Sequence, residues 1–188
     1  MDITTLERAC AATEPVVAKA TPAHYGLATP CTEWDVHDLL NHLVGTVALG
    51  RTLLRDLPPT VAIGPGQLPA TDVVGDDPAA AYRREADALL RELDAADIAR
   101  THATPLGEMP GTALAGFVVL DVVVHGWDLG RAIDAPLAVD DDLAAGILGF
   151  GRAAFAAAPR PPVLGVEVPA PPGASALDRL VAFAGRTP

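Results

Sequence analysis

Residues 116–133 read GFVVLDVVVHGWDLGRAI, the least polar long run in a chain of 188 residues, and three of its four ionisable side chains interrupt it at regular spacing ahead of Arg131. Asp121, His125 and Asp128 lie four and then three residues apart. At about 100° per residue they fall on one narrow stripe of an α-helix. Phe117, Leu120, Trp127, Leu129 and a series of valines fill the remaining surface, and a helix apolar nearly all round is a buried one. A carboxylate and an imidazole in that setting need partners, because burying them unpaired costs on the order of a few kcal/mol each. A bound divalent metal is one such partner. An arginine, polar groups on a second helix, or the stripe residues themselves are the others.

Working outward, the helix is expected to start near Thr112 and to end around 131–134. On its N-terminal side, residues 98–111 read as an extended connector or a short hairpin, rich in Thr, Pro and Gly. Asp76-Asp77-Pro78 opens a further helix whose inner face carries Ala81, Ala86, Leu89, Leu90 and Leu93. Residues 58–77 form a long loop with Pro58, Pro59, Gly64, Pro65, Gly66, Pro69 and Gly75, and long loops in compact domains tend to be functional or mobile. Before it, a helix from about Trp34 to about Leu57 carries a broad apolar face, with Thr32 as its expected cap. His42 lies on the flank of that face, near the rim. A first helix spans 3–19, capped by Thr4 or Thr5, with Pro15 expected to kink it or break it early. Beyond the central run, a helix over 140–157 starts at Asp140. Residues 163–168 suggest a short strand or an extended strap, and Ser175 to Asp178 opens a last helix over 176–185. The fold class is therefore all-α, a four-helix bundle with additional C-terminal helices, in one domain spanning 1–188.

Composition narrows the function. Half the residues are hydrophobic and only 4% aromatic, so the core is mostly Ala, Val and Leu. Lys plus Arg is 13 against 24 Asp plus Glu, a formal charge of −11. An acidic surface repels phosphate backbones, so no nucleic-acid partner is expected. The only cysteines, Cys10 and Cys31, form no C-x-x-C pair, which argues against a disulfide framework or a cysteine zinc site. The valine-rich run is broken by Asp121, His125 and Asp128, so no membrane span is expected, and the absence of an N-terminal leader pattern points to a cytoplasmic protein.

The pattern D-x-x-x-H presents a carboxylate oxygen and an imidazole nitrogen one turn apart on one helix face, the geometry of paired metal ligands. A third ligand has to come from another helix, and His42 is the best placed. Two histidines and a carboxylate leave coordination positions open, as catalytic sites do. The structural alternatives are plain: a rim histidine on a backbone carbonyl, an ordinary i, i+4 pair, or a polar network with no metal. Asp128 is expected to contact Arg131 or Arg152, or to orient a ligand. Trp34 and Trp127 are candidate pocket walls, together with the 58–77 loop. Cys31 is a thiol near the site with a mainly structural role, and His24, His37 and His102 are expected to be exposed or locally bonded.

Alone, D-x-x-x-H is a weak signal. Combined, WDVHDLLNHLVG (Trp34 to Gly45) and DVVVHGWDL (Asp121 to Leu129) resemble the N-terminal metal-binding domain of mycothiol-dependent maleylpyruvate isomerase and, more broadly, the DinB-like four-helix-bundle superfamily. Pro30 to Trp34, Met109 to Gly111 and Ala176 to Phe183 extend the likeness over most of the chain, nearest to a single-domain actinobacterial branch. The resemblance implies Zn2+, or another divalent metal such as Ni2+, held by His42, Asp121 and His125. It also implies a mycothiol-type thiol cosubstrate, with thiol S-transfer or isomerisation as the reaction, and a homodimer by analogy. This chain has Asp121 where the isomerase pattern has Glu, and it has no room for the isomerase's second domain, so the isomerase reaction itself is not carried over. The alternative is a non-catalytic bundle that binds a metal or a small ligand.

Overall fold

The structure is a computed structural model that describes residues 1–57, 67–104, 107–156, 160 and 164–188. Seven α-helices and one hairpin lie among them: α1 (Ile3–Val17), α2 (Val36–Leu54), α3 (Pro78–Glu92), α4 (Ala95–Ala99), β1 (Thr101–Thr104), β2 (Gly107–Pro110), α5 (Gly111–Ala132), α6 (Asp141–Ala154) and α7 (Ala176–Phe183). The valine-rich α5 packs along both α1 and α2, and α3 closes the ring by packing on α2 and α1. This is the expected four-helix core. By length and composition α5 is apolar enough to cross a membrane, but 83% of its apolar window is buried by the other helices. The α1–α5 approach is close because Gly126 faces Thr13, where a Cβ would meet the threonine Oγ1 at 2.8 Å. The Thr13 hydroxyl donates a hydrogen bond to the Val122 carbonyl at 3.3 Å.

The helix ends show which polar residues do the capping. Asp2, rather than Thr4 or Thr5, caps α1 by accepting from the Thr5 amide at 2.9 Å. The helix runs two residues past Pro15, so the proline neither breaks it early nor stops it where it stands. Asp35, rather than Thr32, caps α2 by accepting from the Asp38 amide at 2.9 Å. The Thr32 expectation fails because residues 31–34 are already committed to a turn, closed by the Trp34 amide on the Cys31 carbonyl at 2.8 Å. The Thr29 hydroxyl braces that turn, donating to the Trp34 carbonyl at 2.8 Å. Helix α2 ends at Leu54 rather than Leu57, and Asp56 then takes a positive φ of 48°. Asp77 caps α3 with Pro78 in its first turn, and Ser175 with Asp178 forms a reciprocal capping box on α7.

The ambiguous 98–111 stretch resolves as a hairpin, with Thr101 opposite Pro110 and Thr104 opposite Gly107. It folds back on the end of α2 and buries His102 to 1% exposure. His102, expected to be exposed or locally bonded, is a locally bonded core residue: the short α4, which was unforeseen, brings the Asp97 carbonyl to its Nε2 at 2.6 Å. No strand forms over residues 164–168, and the expected strand's first residue lies outside the described residues. That segment is a strap, tied by the Val168 amide to the Ala182 carbonyl at 3.0 Å. Of the long 58–77 loop, residues 58–66 lie outside the described residues.

Candidate metal centre

Helix α5 turns its polar stripe toward α2, where His42 waits. His42 is 2% exposed and buried rather than at a rim, and His125 and Asp128 are buried as well. The imidazoles of His42 and His125 meet edge to face, with centroids 4.9 Å apart. Both Nε2 atoms point at one carboxylate oxygen: Asp121 Oδ1 is 3.3 Å from His42 Nε2 and 3.6 Å from His125 Nε2.

The far sides of the two rings fix their tautomers. His42 Nδ1 lies 2.7 Å from the Gln67 carbonyl, which only an N–H can face. His125 Nδ1 lies 2.9 Å from Asp128 Oδ2, again an acceptor. A neutral ring with its proton on Nδ1 keeps its lone pair on Nε2. Two nitrogen lone pairs and a carboxylate therefore converge on the same small volume. Convergence of that kind is repulsive unless protons or a cation sit among the donors. Asp121 Oδ2 adds to it: the atom is buried and has no hydrogen-bond partner among the described residues.

The electrostatics agree with the geometry. Burial pushes the Asp121 carboxyl up, but His42 and His125 overcome it and hold the group well below the usual carboxylate range. Burial lowers His42, but Asp121 and the Gln67 carbonyl outweigh it and raise the imidazole above its ordinary value. With no metal, a proton on His42 is what this carboxylate selects. A divalent cation would satisfy both lone pairs and both carboxylate oxygens at once. Two nitrogens and a carboxylate, within 4.8 Å of one another, make a donor set that suits zinc or nickel.

The donor atoms of a second trio, Cys31, His125 and Asp128, also lie within 4.8 Å of one another. Its cation is already supplied by the protein. Arg186 Nη2 sits 2.7 Å from Asp128 Oδ2 and 3.0 Å from Cys31 Sγ. Burial and Asp128 push the Cys31 thiol up to about 12, and Arg186 offsets this only in part. As it stands, Cys31 is a neutral thiol donating to Asp128 at 3.2 Å, not a thiolate ligand. Asp128 is expected from the sequence to meet Arg131 or Arg152, or to orient a ligand; it faces His125 Nδ1, and its arginine is Arg186. Arg131 instead lies over the Trp127 ring at 5.6 Å, and Arg152 pairs with Glu167 at 2.7 Å.

Trp34 walls the site, its ring 4.5 Å from that of His42 and 5.7 Å from that of His125. Trp127, two residues past His125 on α5, is a buried core residue with Arg131 over its ring. From the long loop, the described contribution is the Gln67 carbonyl. The Asp121 side chain is 27% exposed, which makes it the open side of the site. Arg186 is the residue sequence reasoning missed. Its one signal was its place just after Gly185, the first glycine beyond a well-capped helix.

The profile described as the mycothiol maleylpyruvate isomerase N-terminal domain matches residues 6–130. The chain belongs to that family. The match takes in the whole trio of His42, Asp121 and His125, together with Asp128, and stops short of Arg186. Among the curated proteins that the chain resembles are "Uncharacterized protein Rv0738" of Mycobacterium tuberculosis strain H37Rv and "Uncharacterized protein MT0763" of strain CDC 1551 / Oshkosh. Each is 33% identical over 186 residues, covering 96% of this chain and 95% of its own length. No solved structure matches the chain significantly.

Proposed function

We propose that this family member is a divalent-metal protein in which His42, Asp121 and His125 hold zinc, or a similar ion such as nickel, and that it acts on a thiol of the mycothiol type in an S-transfer or isomerisation. The observation that carries the reading is the convergence of two imidazole lone pairs on a half-buried carboxylate with its one buried oxygen unpartnered. A zinc ion held there supplies positive charge that favours a thiolate near neutral pH.

The rest is work for the chain's own residues. The Gln67 carbonyl and Asp128 fix the two imidazole rings by their Nδ1 protons, so neither ring has to reorient. Trp34 covers one side and keeps water from it, and the exposed flank of Asp121 leaves a side open for a small molecule. The thiol has to come from a cosubstrate. Cys31 is occupied by Asp128 and Arg186, and burial pushes Cys10, inside α1, up to about 11.

The first test is elemental mass spectrometry on the wild type and on His125→Ala, both purified without a metal-binding tag. About one zinc or nickel per chain, lost in the variant, is expected. No metal in the wild type after incubation with zinc would overturn the proposal. Calorimetric titration of a cysteinyl-sugar thiol into metal-loaded and metal-free protein tests the second half. Binding that depends on metal supports thiol chemistry, and metal without thiol binding leaves a non-catalytic metal-binding bundle.

A further inference from the structure

Arg186 lies outside the family match, yet it reaches the heart of the site. Its direction is set by the way α7 ends. The Gly185 amide donates to the Ala182 carbonyl at 3.0 Å and the Arg186 amide to the Val181 carbonyl at 2.9 Å, the crossed pair of a Schellman turn. Gly185 has φ +88°, and a Cβ there would meet Gly165 Cα at 2.8 Å, so both backbone and packing require glycine. Arg160 secures the strap beneath, donating to the Gly165 carbonyl at 2.8 Å and to the Phe183 carbonyl. The chain is thus turned back so that Arg186 enters the site in one orientation.

There the guanidinium grips Asp128 with two nitrogens, Nη2 to Oδ2 at 2.7 Å and Nε to Oδ1 at 3.1 Å. The same Nη2 reaches Cys31 Sγ at 3.0 Å, in the turn that carries Trp34. Asp128 has no exposed side-chain surface, and its Oδ2 also accepts from His125 Nδ1. A bidentate fork fixes the plane of a carboxylate in a way a point charge does not.

We infer that Arg186 is a positioning residue of the metal centre: it locks the Asp128 carboxylate in the plane from which it holds the His125 ring, and through Cys31 it tethers the turn that carries Trp34. The segment beyond the family match is then part of the site's support. This rests on the proposal that His125 is a metal ligand.

The test is zinc affinity, by competition with a chromophoric chelator, for the wild type, Arg186→Met, Arg186→Lys, Gly185→Ala, Asp128→Asn and the Arg186→Met/Asp128→Asn double variant. The imidazole NMR spectrum of each metal-free protein runs beside it. Arg186→Met is expected to weaken zinc binding about 10–100-fold, the usual cost of losing a ligand's orienting partner. Arg186→Lys should recover part of that loss, since it restores charge without the fork. Gly185→Ala keeps the arginine but misaims it and should fall between. The double variant should lose no more than the worse single variant, because both act through one contact. In the metal-free protein the protected His125 Nδ1 proton signal should disappear in Arg186→Met while the His102 signals persist.

Additive losses that track a falling Tm, with the His102 signals lost as well, would make Arg186 merely structural and overturn the inference. Wild-type zinc affinity in Arg186→Met would overturn it and leave the metal proposal intact. If even the wild type binds no zinc, the metal proposal fails, and the role of Arg186 in metal binding fails with it.

Discussion

Among the described residues the bundle holds two buried histidine clusters, and they differ in what is left over. At the end of α2, His102 places Nε2 2.6 Å from the Asp97 carbonyl and Nδ1 3.2 Å from Asp56 Oδ1. Asp97 is satisfied in turn by Arg55 at 2.8 Å and by the Asp94 amide at 3.0 Å, and Arg100 bonds to Asp56. Each acid there has a cationic partner, and both ring nitrogens are used. Between α2 and α5, His42 and His125 spend Nδ1 on fixed acceptors and turn both Nε2 atoms, that of His42 also 3.5 Å from Thr46 Oγ1, toward one carboxylate that keeps an oxygen unpaired. Both clusters are buried and both mix imidazole with carboxylate. Burial therefore does not single out a site, and unspent donor capacity does.

The sharpest way to break that contrast is to swap charge for none at constant volume. Asp121→Asn is expected to abolish stoichiometric zinc binding, read by elemental mass spectrometry. In the metal-free protein, at a pH high enough that His42 is neutral and the ion pair is absent, it should cost little, since the carboxylate then faces imidazole lone pairs with no proton or cation among them. His102→Ala should do the reverse. It leaves the Asp97 carbonyl and Asp56 short of a partner and opens a cavity, costing about 2–4 kcal/mol by urea unfolding, while metal content stays at about one per chain. If Asp121→Asn destabilises the metal-free protein as much as His102→Ala does, the trio is a structural network and the contrast fails.

The contrast was half legible in the sequence. The stripe Asp121, His125, Asp128 stands out because the residues around it are nearly all apolar, and α5 is buried for that reason. His42 was legible from the strong apolar face of α2, although its depth was not. The local bond of His102 was one of its two readings, but its depth was not legible, because its burial depends on a hairpin folding onto the end of α2, and Thr, Pro and Gly in a connector do not encode which face it covers. Arg186 was invisible for a related reason. Its contact with Asp128 spans 58 residues, and neither periodicity nor spacing reports where a turn at the end of a later helix will aim a side chain. Helix capping failed at Thr32 since a threonine near a helix start serves a preceding turn as readily as the helix itself.

A smaller effect separates the clusters by pH. His42 is raised above its ordinary 6.5, so its contribution to the metal-free fold is complete below 6.5 and is lost as pH rises through the raised value. Asp121 is lowered from 3.8, so its contribution is present above 3.8 and is lost as pH falls through the lowered value. The ion pair is whole in the window between. Zinc must displace the His42 proton, so its affinity should fall about tenfold per pH unit once His42 is protonated. Thermal melts with and without zinc should show the zinc-dependent gain in Tm at about pH 8 and its disappearance near about pH 5. A gain that does not change with pH would place the metal elsewhere than on His42.

The smallest expected effect discriminates between the two trios that share His125. Cys31, His125 and Asp128 are as close together as His42, Asp121 and His125, so distance alone cannot choose between them. The choice rests on Arg186, whose guanidinium occupies the cation's place in the first trio, and on a thiol held neutral by burial and by Asp128. Serine keeps a donor for Asp128 and an acceptor for Arg186 but is a poor ligand for zinc. Cys31→Ser should therefore leave zinc stoichiometry unchanged and affinity within about threefold, well short of the 10–100-fold typical of a lost orienting partner. In a cobalt-loaded sample no sulfur-to-metal charge-transfer band should be present before or after the change. Loss of the metal in Cys31→Ser would mean that Arg186 yields its place to the ion, and that the site is built on α5 and the turn before α2 rather than on α5 and α2.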